Sequence, residues 1–292
     1  MVFHREVGPD WPPPPIREWP GRDRQFRMVR TGIFQSYSPS GDRLVCNDQP
    51  GGILHNSILA MDADGANHSV LFTDPDPEKS ALAPAWSPKG DKVAFGLGQF
   101  FPSLNGGRAV VADIAVVSTD GKGLRMLTDG KGNNGFPSWA PDGRRLVYRS
   151  SGGTTRGLVI LDVETGEAKE LKTGSTRDNF PAWSPDGERI AFTSFQEGDY
   201  EVCTVKPDGT DLRRLTHSPG NDAHCAWSPD GQWIAFSSSR GGFKDEAALH
   251  PHNAQPYGQI YAMRADGSDV RQLTDDAFEH GTVAFAPVGR PK

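Results

Sequence analysis

The residue types best suited to chemistry are histidines, and five of the eight lie between positions 217 and 280. Two of them, His250 and His252, belong to a polar segment that also carries Asp245 and Gln255. An imidazole has an ordinary pKa near neutrality and is a frequent ligand of transition metals, so it suits proton transfer or metal binding. The residues predicted as metal ligands in this interpretation are His224, His250, His252 and His280.

Acidic, amide and guanidinium side chains are available to complete such a site. Arg149 or Arg177 would bind a carboxylate of the substrate. His224 or His280 would hold the metal or act as the base. No Ser-His-Asp or Cys-His order stands out in the sequence, so a nucleophilic triad is not predicted. The full set of candidate ligand-binding residues is Asn134, Arg149, Arg177, Asp178, Asp222, His224, Asp245, His250, His252, Gln255, Glu279 and His280.

These residues sit in a chain built from one repeated phrase, an aromatic residue followed by Ser or Ala, Pro, any residue and Gly. Its closing glycines recur at intervals of 44 to 58 residues, and the step from Gly289 through the two termini to Gly41 is also 44 residues. A repeat of about 40–50 residues that closes on itself in this way is typical of the blades of a β-propeller. The six copies begin at Tyr37, Trp86, Trp139, Trp183, Trp227 and Phe285.

The copy at residues 181–216 shows what one repeat encodes. A short apolar segment ends at Trp183, and the Ser-Pro-Asp-Gly that follows supplies the proline and glycine of a tight turn. Segments 190–193 and 200–205 carry the aromatic and β-branched residues that favour strands. Residues 212–216 form a short polar fourth segment, as expected of an outer edge. The pattern therefore predicts a four-stranded antiparallel meander, and it shows no sustained helical period.

The predicted fold is all-β: a six-bladed β-propeller of four-stranded antiparallel blades in a single domain, residues 1–292. One C-terminal strand, 282–287, is expected to join three N-terminal strands within 2–30 and so close the ring, which leaves no open sheet edge at either end. The predicted blades are 33–73 (blade one), 83–128 (two), 136–173 (three), 180–216 (four), 224–274 (five) and 1–30 with 282–292 (six).

This fold assigns the candidate residues to one face of the disc. The Ser-Pro-Xaa-Gly and Asp-Gly turns are short and uniform, so their face is interpreted as structural, whereas the opposite face collects loops of variable length. Its longest loop, 239–257, is expected to fold over the mouth of the central channel. Four polar residues are expected to converge there, because each precedes an inner strand by two residues: Asn134, Asp178, Asp222 and His280.

Composition and charge argue against several classes of function. The net charge is −6, and no basic stripe interleaved with aromatics is present, so nucleic acid is not an expected partner. No run of 18 apolar residues occurs, so membrane insertion is not expected. The first residues are polar, so a cytoplasmic location is expected, or a periplasmic one if a leader has been removed. The three cysteines are predicted to be buried free thiols: Cys46, Cys203 and Cys225.

The phrase from Pro181 to Gly187, the strand from Ile190, and the run from Asp208 to Thr216 resemble the repeat of TolB-type six-bladed propellers. The resemblance covers essentially the whole chain and implies a scaffold that binds partner proteins. The repeats are also similar to the N-terminal propellers of dipeptidyl-peptidase-IV-type enzymes, but the chain has no Gly-x-Ser-x-Gly elbow for their hydrolase chemistry. Oligogalacturonate lyases are propellers with related repeats, and that resemblance implies a metal held by histidines and a glutamine.

The sequence therefore predicts a TolB-like propeller scaffold that binds a peptide, a protein partner or a small polar ligand at the channel mouth, beside the 239–257 loop. The alternative is a metal-dependent lyase or hydrolase acting on a polar saccharide, including one that contains uronic acid. That enzyme would need a divalent cofactor such as Mn, Ca, Zn or Fe, whereas the scaffold needs none. A third interpretation is a partner-docking surface formed by Phe100, Phe101 and Phe243.

Overall fold

The computed structural model describes residues 2–5, 33–47, 56–100, 110–152, 156–241, 258–275 and 280–287. These residues form β-strands joined by turns and loops, and no helix occurs among them. Accordingly, the described part of the chain holds no helix that is long and apolar enough to cross a membrane. The all-β prediction is confirmed for this part of the chain.

Apart from the first and last strands, the strands form antiparallel sheets of four that follow the order of the chain. Strand β1 (Val2–Arg5) pairs with the last strand. Sheet one contains β2 (Ile33–Tyr37), β3 (Arg43–Asn47), β4 (Ser57–Asp62) and β5 (Ser69–Thr73). Sheet two contains β6 (Ser80–Trp86), β7 (Lys92–Gly98), β8 (Ala112–Ser118) and β9 (Arg125–Met126).

Sheet three contains β10 (Asn133–Trp139), β11 (Arg145–Ser151), β12 (Gly157–Asp162) and β13 (Ala168–Leu171). Sheet four contains β14 (Asp178–Trp183), β15 (Ile190–Gln196), β16 (Asp199–Val205) and β17 (Arg213–Arg214). Sheet five contains β18 (Asp222–Trp227), β19 (Trp233–Ser238), β20 (Gln259–Arg264) and β21 (Arg271–Gln272), and β22 (His280–Ala284) follows it. A single parallel pair, Ala112 with Asn133, links sheets two and three.

The repeated phrase, with Ala in place of Ser in sheet three, forms the turn between the first and second strand of each sheet. In sheet four the Ser184 hydroxyl accepts a hydrogen bond from the Arg189 amide at 2.9 Å and donates one to Asp186 at 2.6 Å. Gly187 closes the turn with a φ of 78°, a conformation that glycine adopts without steric cost. The contact from a backbone amide to the serine hydroxyl recurs at Ser87 and Ser228.

Neighbouring sheets pack face to face through apolar side chains. Between sheets three and four, Val147 and Leu158 pack with Phe192 and Trp183, and all of these side chains are buried. The tryptophans of the repeat also join one sheet to the next, because the Trp227 indole donates to the carbonyl of Ala182 at 3.0 Å. Burial of this apolar surface is the main force that holds the sheets together.

The first strands of the sheets contact one another in a ring, from β2 through β6, β10, β14 and β18 to β22, and β22 contacts β2 again. Strand β1 pairs with β22 in antiparallel register, with Val2 opposite Ala284 and Phe3 opposite Val283. Two other predicted N-terminal strands, 16–19 and 25–30, lie outside the described residues. The first and last described segments of the chain are therefore neighbours in one sheet.

The inner strands begin two or three residues earlier than the repeat pattern predicts. Asp178, Asp222 and His280 are the first residues of β14, β18 and β22, and Asn134 is the second residue of β10. The expected strand starts were wrong because each inner strand continues through a β-bulge. These four residues therefore belong to strands and not to the preceding loops.

Candidate functional site

Each bulge places one side chain in the central channel. In five inner strands the pairing register shifts at a non-glycine residue whose φ lies between 49° and 57°. This left-handed conformation costs about 1–2 kcal/mol per residue, so the surrounding sheets must impose it. The five residues are Phe34, Ala83, Phe136, Phe180 and His224.

Four of these residues form a cluster of rings, which we call the aromatic plug: Phe34, Phe136, Phe180 and His224. The ring centroids of Phe136 and Phe180 are 4.7 Å apart, and those of Phe180 and His224 are 3.9 Å apart. Phe34 contacts both Phe136 and His224, at 5.4 Å and 5.8 Å. The plug therefore fills the channel partway along its length, and His224 is one of its packed rings.

A second ring of residues lies two positions after the bulge of each inner strand. All six are small and partly exposed, and all line the same cavity. Two of them also brace the wall, because the Ser36 hydroxyl accepts a hydrogen bond from the Trp86 amide and Ser138 accepts one from the Trp183 amide, each at 3.0 Å. We call this set the small-residue ring: Ser36, Ala85, Ser138, Ala182, Ala226 and Ala284.

The cavity between the plug and the Ser-Pro turns has a volume of about 400 Å³. The plug forms its floor, the small-residue ring forms its wall, and Pro185, Pro229 and Pro287 lie at its rim. We call this cavity the funnel. The funnel lies on the face of the disc that bears the Ser-Pro-Xaa-Gly turns. The repeat pattern predicts a structural role for that face. The signal that points to it in the sequence is the Ser or Ala that precedes every repeat aromatic.

Another cavity, of about 650 Å³, lies near the turns of sheets three and four. Charges of both signs line it, including Arg145, Asp162, Glu188 and Lys206. Asp162 is engaged by Arg144 at 2.5 Å, and Arg145 binds Asp142 at 2.7 Å. Since its charges are mixed and partly paired with one another, this cavity favours no particular class of ligand.

Two of the predicted ligand-binding carboxylates are buried and have polar partners within the sheets. Asp178 accepts hydrogen bonds from Ser194 at 2.6 Å and from Thr173. Burial raises the pKa of the Asp178 carboxyl, against the lowering effect of these hydrogen bonds. Asp222 is fully buried and is paired with Arg240 at 2.8 Å, and burial raises its pKa as well.

The other predicted residues occupy different environments. Asn134 is buried, and its amide lies 3.3 Å from the Thr128 hydroxyl. His280 is buried, and its backbone pairs with Gly258. Arg177 is exposed and lies 3.9 Å from the Phe195 ring centroid. The predicted residues that lie outside the described part of the chain are Asp245, His250, His252, Gln255 and Glu279.

The three cysteines and Phe100 are all buried. Cys46, Cys203 and Cys225 are buried free thiols, as predicted, and burial raises the pKa of both Cys203 and Cys225 to about 12. Phe100 was expected on a docking surface, but its side chain is buried against Gly96 and Gly135. That expectation is therefore wrong for Phe100, and Phe101 and Phe243 lie outside the described residues.

We expect the free energy of unfolding of the Asp178→Asn variant, relative to that of the wild type, to increase as the pH rises above about 4. The ordinary pKa of the Asp178 carboxyl, which applies in the unfolded chain, is 3.8. The folded protein therefore keeps this proton to a higher pH than the unfolded chain does. The folded state therefore binds more protons between 3.8 and the raised pKa, and stability falls as the pH rises through that window. An asparagine side chain cannot ionise, so the variant does not lose stability in this way. Urea denaturation of both proteins across about pH 4 to 8 measures the difference in their free energies of unfolding.

The matched control for this prediction is Asp186→Asn. The hydrogen bond from Ser184 is the main cause that lowers the pKa of Asp186. Its effect on how stability changes with pH is therefore opposite to that of Asp178. The ionised Asp186 contributes stability above its ordinary value of 3.8, and that contribution is lost as the pH falls. Opposite slopes for the two variants are expected. Equal slopes would show that burial of Asp178 does not govern its titration.

The described residues contain no group of three or more His, Cys, Asp or Glu side chains arranged to hold a metal ion. His224 packs its ring against Phe180, and His280 begins β22, so the described residues alone do not fit the predicted metal site. The remaining predicted ligands, His250 and His252, lie outside the described residues.

Comparison with known proteins decides the family. The family model of the TolB beta propeller domain matches residues 104–290, which is more than half of the chain. The chain belongs to the TolB beta propeller family. The five described four-stranded sheets are therefore propeller blades. No match was found among curated protein sequences.

Solved structures of TolB proteins share the fold of this propeller. One from Agrobacterium tumefaciens is 23% identical and superposes with a TM-score of 0.68, over 87% of this chain and 85% of that one. TolB from Acinetobacter baumannii is 17% identical with a TM-score of 0.68, over 88% of this chain and 57% of that one. An oligogalacturonate lyase in complex with manganese is 14% identical with a TM-score of 0.57, over 84% of this chain and 66% of that one. At these identities the likeness concerns the fold alone.

Proposed function

We propose that this TolB-family propeller is a binding scaffold whose funnel holds an extended peptide, in the form of a segment of a partner protein. The observation that carries the proposal is the funnel itself, a cavity of about 400 Å³ whose wall is built from the small-residue ring. Ligand sites are typically concave, about 300–1,000 Å³ in volume and largely apolar with a few polar groups. The funnel has each of these properties.

The wall of the funnel is held rigid by contacts between sheets. The hydroxyls of Ser36 and Ser138 are engaged by backbone amides of the next sheet, and the carbonyl of Ala182 accepts a hydrogen bond from Trp227. Rigid walls reduce the ordering cost of association. The strained backbone of the plug residues supports the same conclusion, because strain of this kind accumulates at sites of function.

The lining of the funnel favours binding over acid–base catalysis. Its described residues include no carboxylate, and the His224 ring packs against Phe180 with the ring centroids 3.9 Å apart. General acid–base catalysis requires a positioned donor and acceptor within reach of one bound substrate. Aromatic rings, prolines and small residues instead suit an apolar or proline-containing peptide backbone.

Selection of peptides from a displayed random library on the purified protein tests the proposal. Enriched sequences would be synthesised, and their dissociation constants measured by fluorescence anisotropy. The proposal expects a shared motif and saturable binding. A library that yields no shared motif, or peptides that bind equally well to heat-denatured protein, would contradict it.

We further propose that the whole chain, residues 1–292, is one six-bladed propeller closed by its termini. The ring of contacts among the inner strands and the pairing of β1 with β22 support this proposal. Thr282 joins the ends directly, because its hydroxyl accepts a hydrogen bond from the Phe34 amide at 3.2 Å and lies 3.1 Å from Oε1 of Gln35. The Thr282 carbonyl also accepts a hydrogen bond from the Gln35 side chain at 3.0 Å.

Thr282→Val is expected to lower the free energy of unfolding by about 1–3 kcal/mol, because it leaves the partly buried backbone amide of Phe34 without its acceptor. Chemical denaturation measures the change. Thr210→Val is the control, since that hydroxyl binds Asp208 in an exposed turn, and a change within about 0.5 kcal/mol is expected there. If both variants lose the same amount, the Thr282 contact does not close the ring.

The alternative function, a metal-dependent lyase or hydrolase on a polar saccharide, is supported by the likeness to an oligogalacturonate lyase in complex with manganese. The described residues do not complete a metal site, so this alternative depends on His250 and His252. Metal analysis of the purified protein separates the two functions. Stoichiometric metal that is lost on replacing both histidines by alanine would favour the enzyme and contradict the scaffold.

A further inference from the structure

Arg149 lies on the other side of the aromatic plug from the funnel. One guanidinium nitrogen, Nη1, donates to the carbonyl of Asn133 at 3.1 Å, and Asn133 is the first residue of β10, three positions before Phe136. The guanidinium carbon also lies 5.3 Å from the centroid of the Phe136 ring. The cation is therefore placed against the loop side of the plug.

Among the described residues, this partly buried guanidinium has fewer partners than a cation near the protein interior normally has. No carboxylate of the described residues forms an ion pair with Arg149, and its Nε atom is buried without a hydrogen-bond partner. The Oδ1 atom of neighbouring Asn133 is also buried and unsatisfied in the described structure. Buried polar atoms without partners are rare in folded proteins and require an explanation.

Other partly buried arginines of this chain are compensated. Arg240 binds Asp222 at 2.8 Å, and Arg214 binds Glu201 at 2.7 Å. Arg177 also stacks on an aromatic ring, but it is exposed and therefore hydrated. Burial lowers the pKa of Arg149 to about 10, which still leaves the side chain charged at neutral pH. Stacking on Phe136 and one carbonyl offset only part of the cost of burying a charge.

We propose that Arg149 anchors a carboxylate-binding site on the loop side of the plug, separate from the funnel. A planar carboxylate accepts hydrogen bonds from a guanidinium and supplies the missing negative charge. The unsatisfied Oδ1 atom belongs to Asn133, the residue whose carbonyl binds the guanidinium, so we expect a carboxylate that carries a hydroxyl or ammonium group to suit the site better than acetate does. The ligand class is therefore a small hydroxy- or amino-carboxylate, or the end of an acidic peptide.

Nuclear magnetic resonance of the Arg149 Nε–H group tests this site in the wild-type protein. Acetate, lactate and glycine are the probes, with acetamide and chloride as controls at constant ionic strength. A saturable shift of the Arg149 signal with the carboxylates, tighter for lactate or glycine than for acetate, is expected. Absence of a saturable shift would overturn the proposal, and saturation by inorganic phosphate alone would overturn the ligand class.

Two variants complete the test. Arg149→Met is expected to weaken carboxylate binding about ten-fold or more, since a charge-assisted hydrogen bond is lost. Arg156→Met, which removes an exposed arginine, is expected to leave it unchanged. If Arg149→Met does not fold, the wild-type titration alone decides. Peptide binding in the funnel does not depend on Arg149, so either proposal can fail without the other.

Discussion

Replacement of Phe192 by alanine is expected to lower the free energy of unfolding by about 3–5 kcal/mol. Phe192 is fully buried and packs in the cluster that joins sheets three and four, with Val147 and Leu158 on the opposite side. The substitution removes this apolar contact and leaves a cavity that the rigid sheets cannot fill by relaxation. Urea denaturation followed by tryptophan fluorescence measures the loss.

Phe195→Ala is the matched control for this prediction. Phe195 lies in the same strand but is only partly buried, and its ring contacts Tyr200 at 5.3 Å and Arg177 at the surface. A loss of about 1 kcal/mol is expected, since little buried volume is removed. If both substitutions cost the same, packing between sheets is not the main source of stability.

Ala182→Trp is expected to weaken binding of a selected peptide by at least about 100-fold while the protein remains folded. Ala182 is partly exposed and belongs to the small-residue ring, so an indole at this position would occupy the space of a bound peptide backbone. Overlap of this kind costs more than about 2.7 kcal/mol, the value that corresponds to a factor of 100. Fluorescence anisotropy measures the affinity.

Ala168→Trp provides the control for this change, because Ala168 is exposed on the outer strand β13 and lies far from the lining of the funnel. Its affinity for the peptide is expected to equal that of the wild type. Because an indole at position 182 also contacts the tightly packed inner strands, Ala85→Trp serves as a second funnel variant, and denaturation curves establish that each is folded. Unchanged affinity in both funnel variants would contradict the proposed site.

The repeated phrase was sufficient to predict the family and the all-β architecture. Each Ser-Pro-Xaa-Gly turn is determined by local contacts, such as those of Ser184 with Arg189 and Asp186, so the turn can be recognised in sequence. The pairing of Val2 with Ala284 was anticipated because the repeat closes across the termini. Local chemistry and periodicity therefore account for the successful part of the prediction.

The details of the channel could not be predicted in this way. The left-handed conformation of Phe136 and Phe180 is imposed by contacts among different sheets, and nothing in a phenylalanine favours it. The hydrogen bond between Asp178 and Ser194 joins two neighbouring strands, and neither residue type by itself predicts it. For this reason Asp178 was predicted to bind a ligand, although its side chain is satisfied within the fold.

The funnel, which we propose as the binding site, was also beyond sequence reasoning, and the predicted site among the variable loops stays a prediction. Uniform turns were interpreted as structural, and variable loops as functional, which is a sound general expectation. The small residues at positions such as Ala182 and Ser138 became informative only when the structure showed that they surround one cavity. That no carboxylate of the described residues pairs with Arg149 similarly depends on which side chains the sheets bring near it.

The most direct test of the central claim is to map where a selected peptide lies. A peptide that carries a benzophenone would be cross-linked to the protein by light, and the modified segments identified by mass spectrometry. The funnel proposal predicts cross-links in 180–185 and 224–229, which line the funnel. Cross-links confined to segments that do not line the funnel, such as 48–55, 101–109 or 242–257, would contradict it.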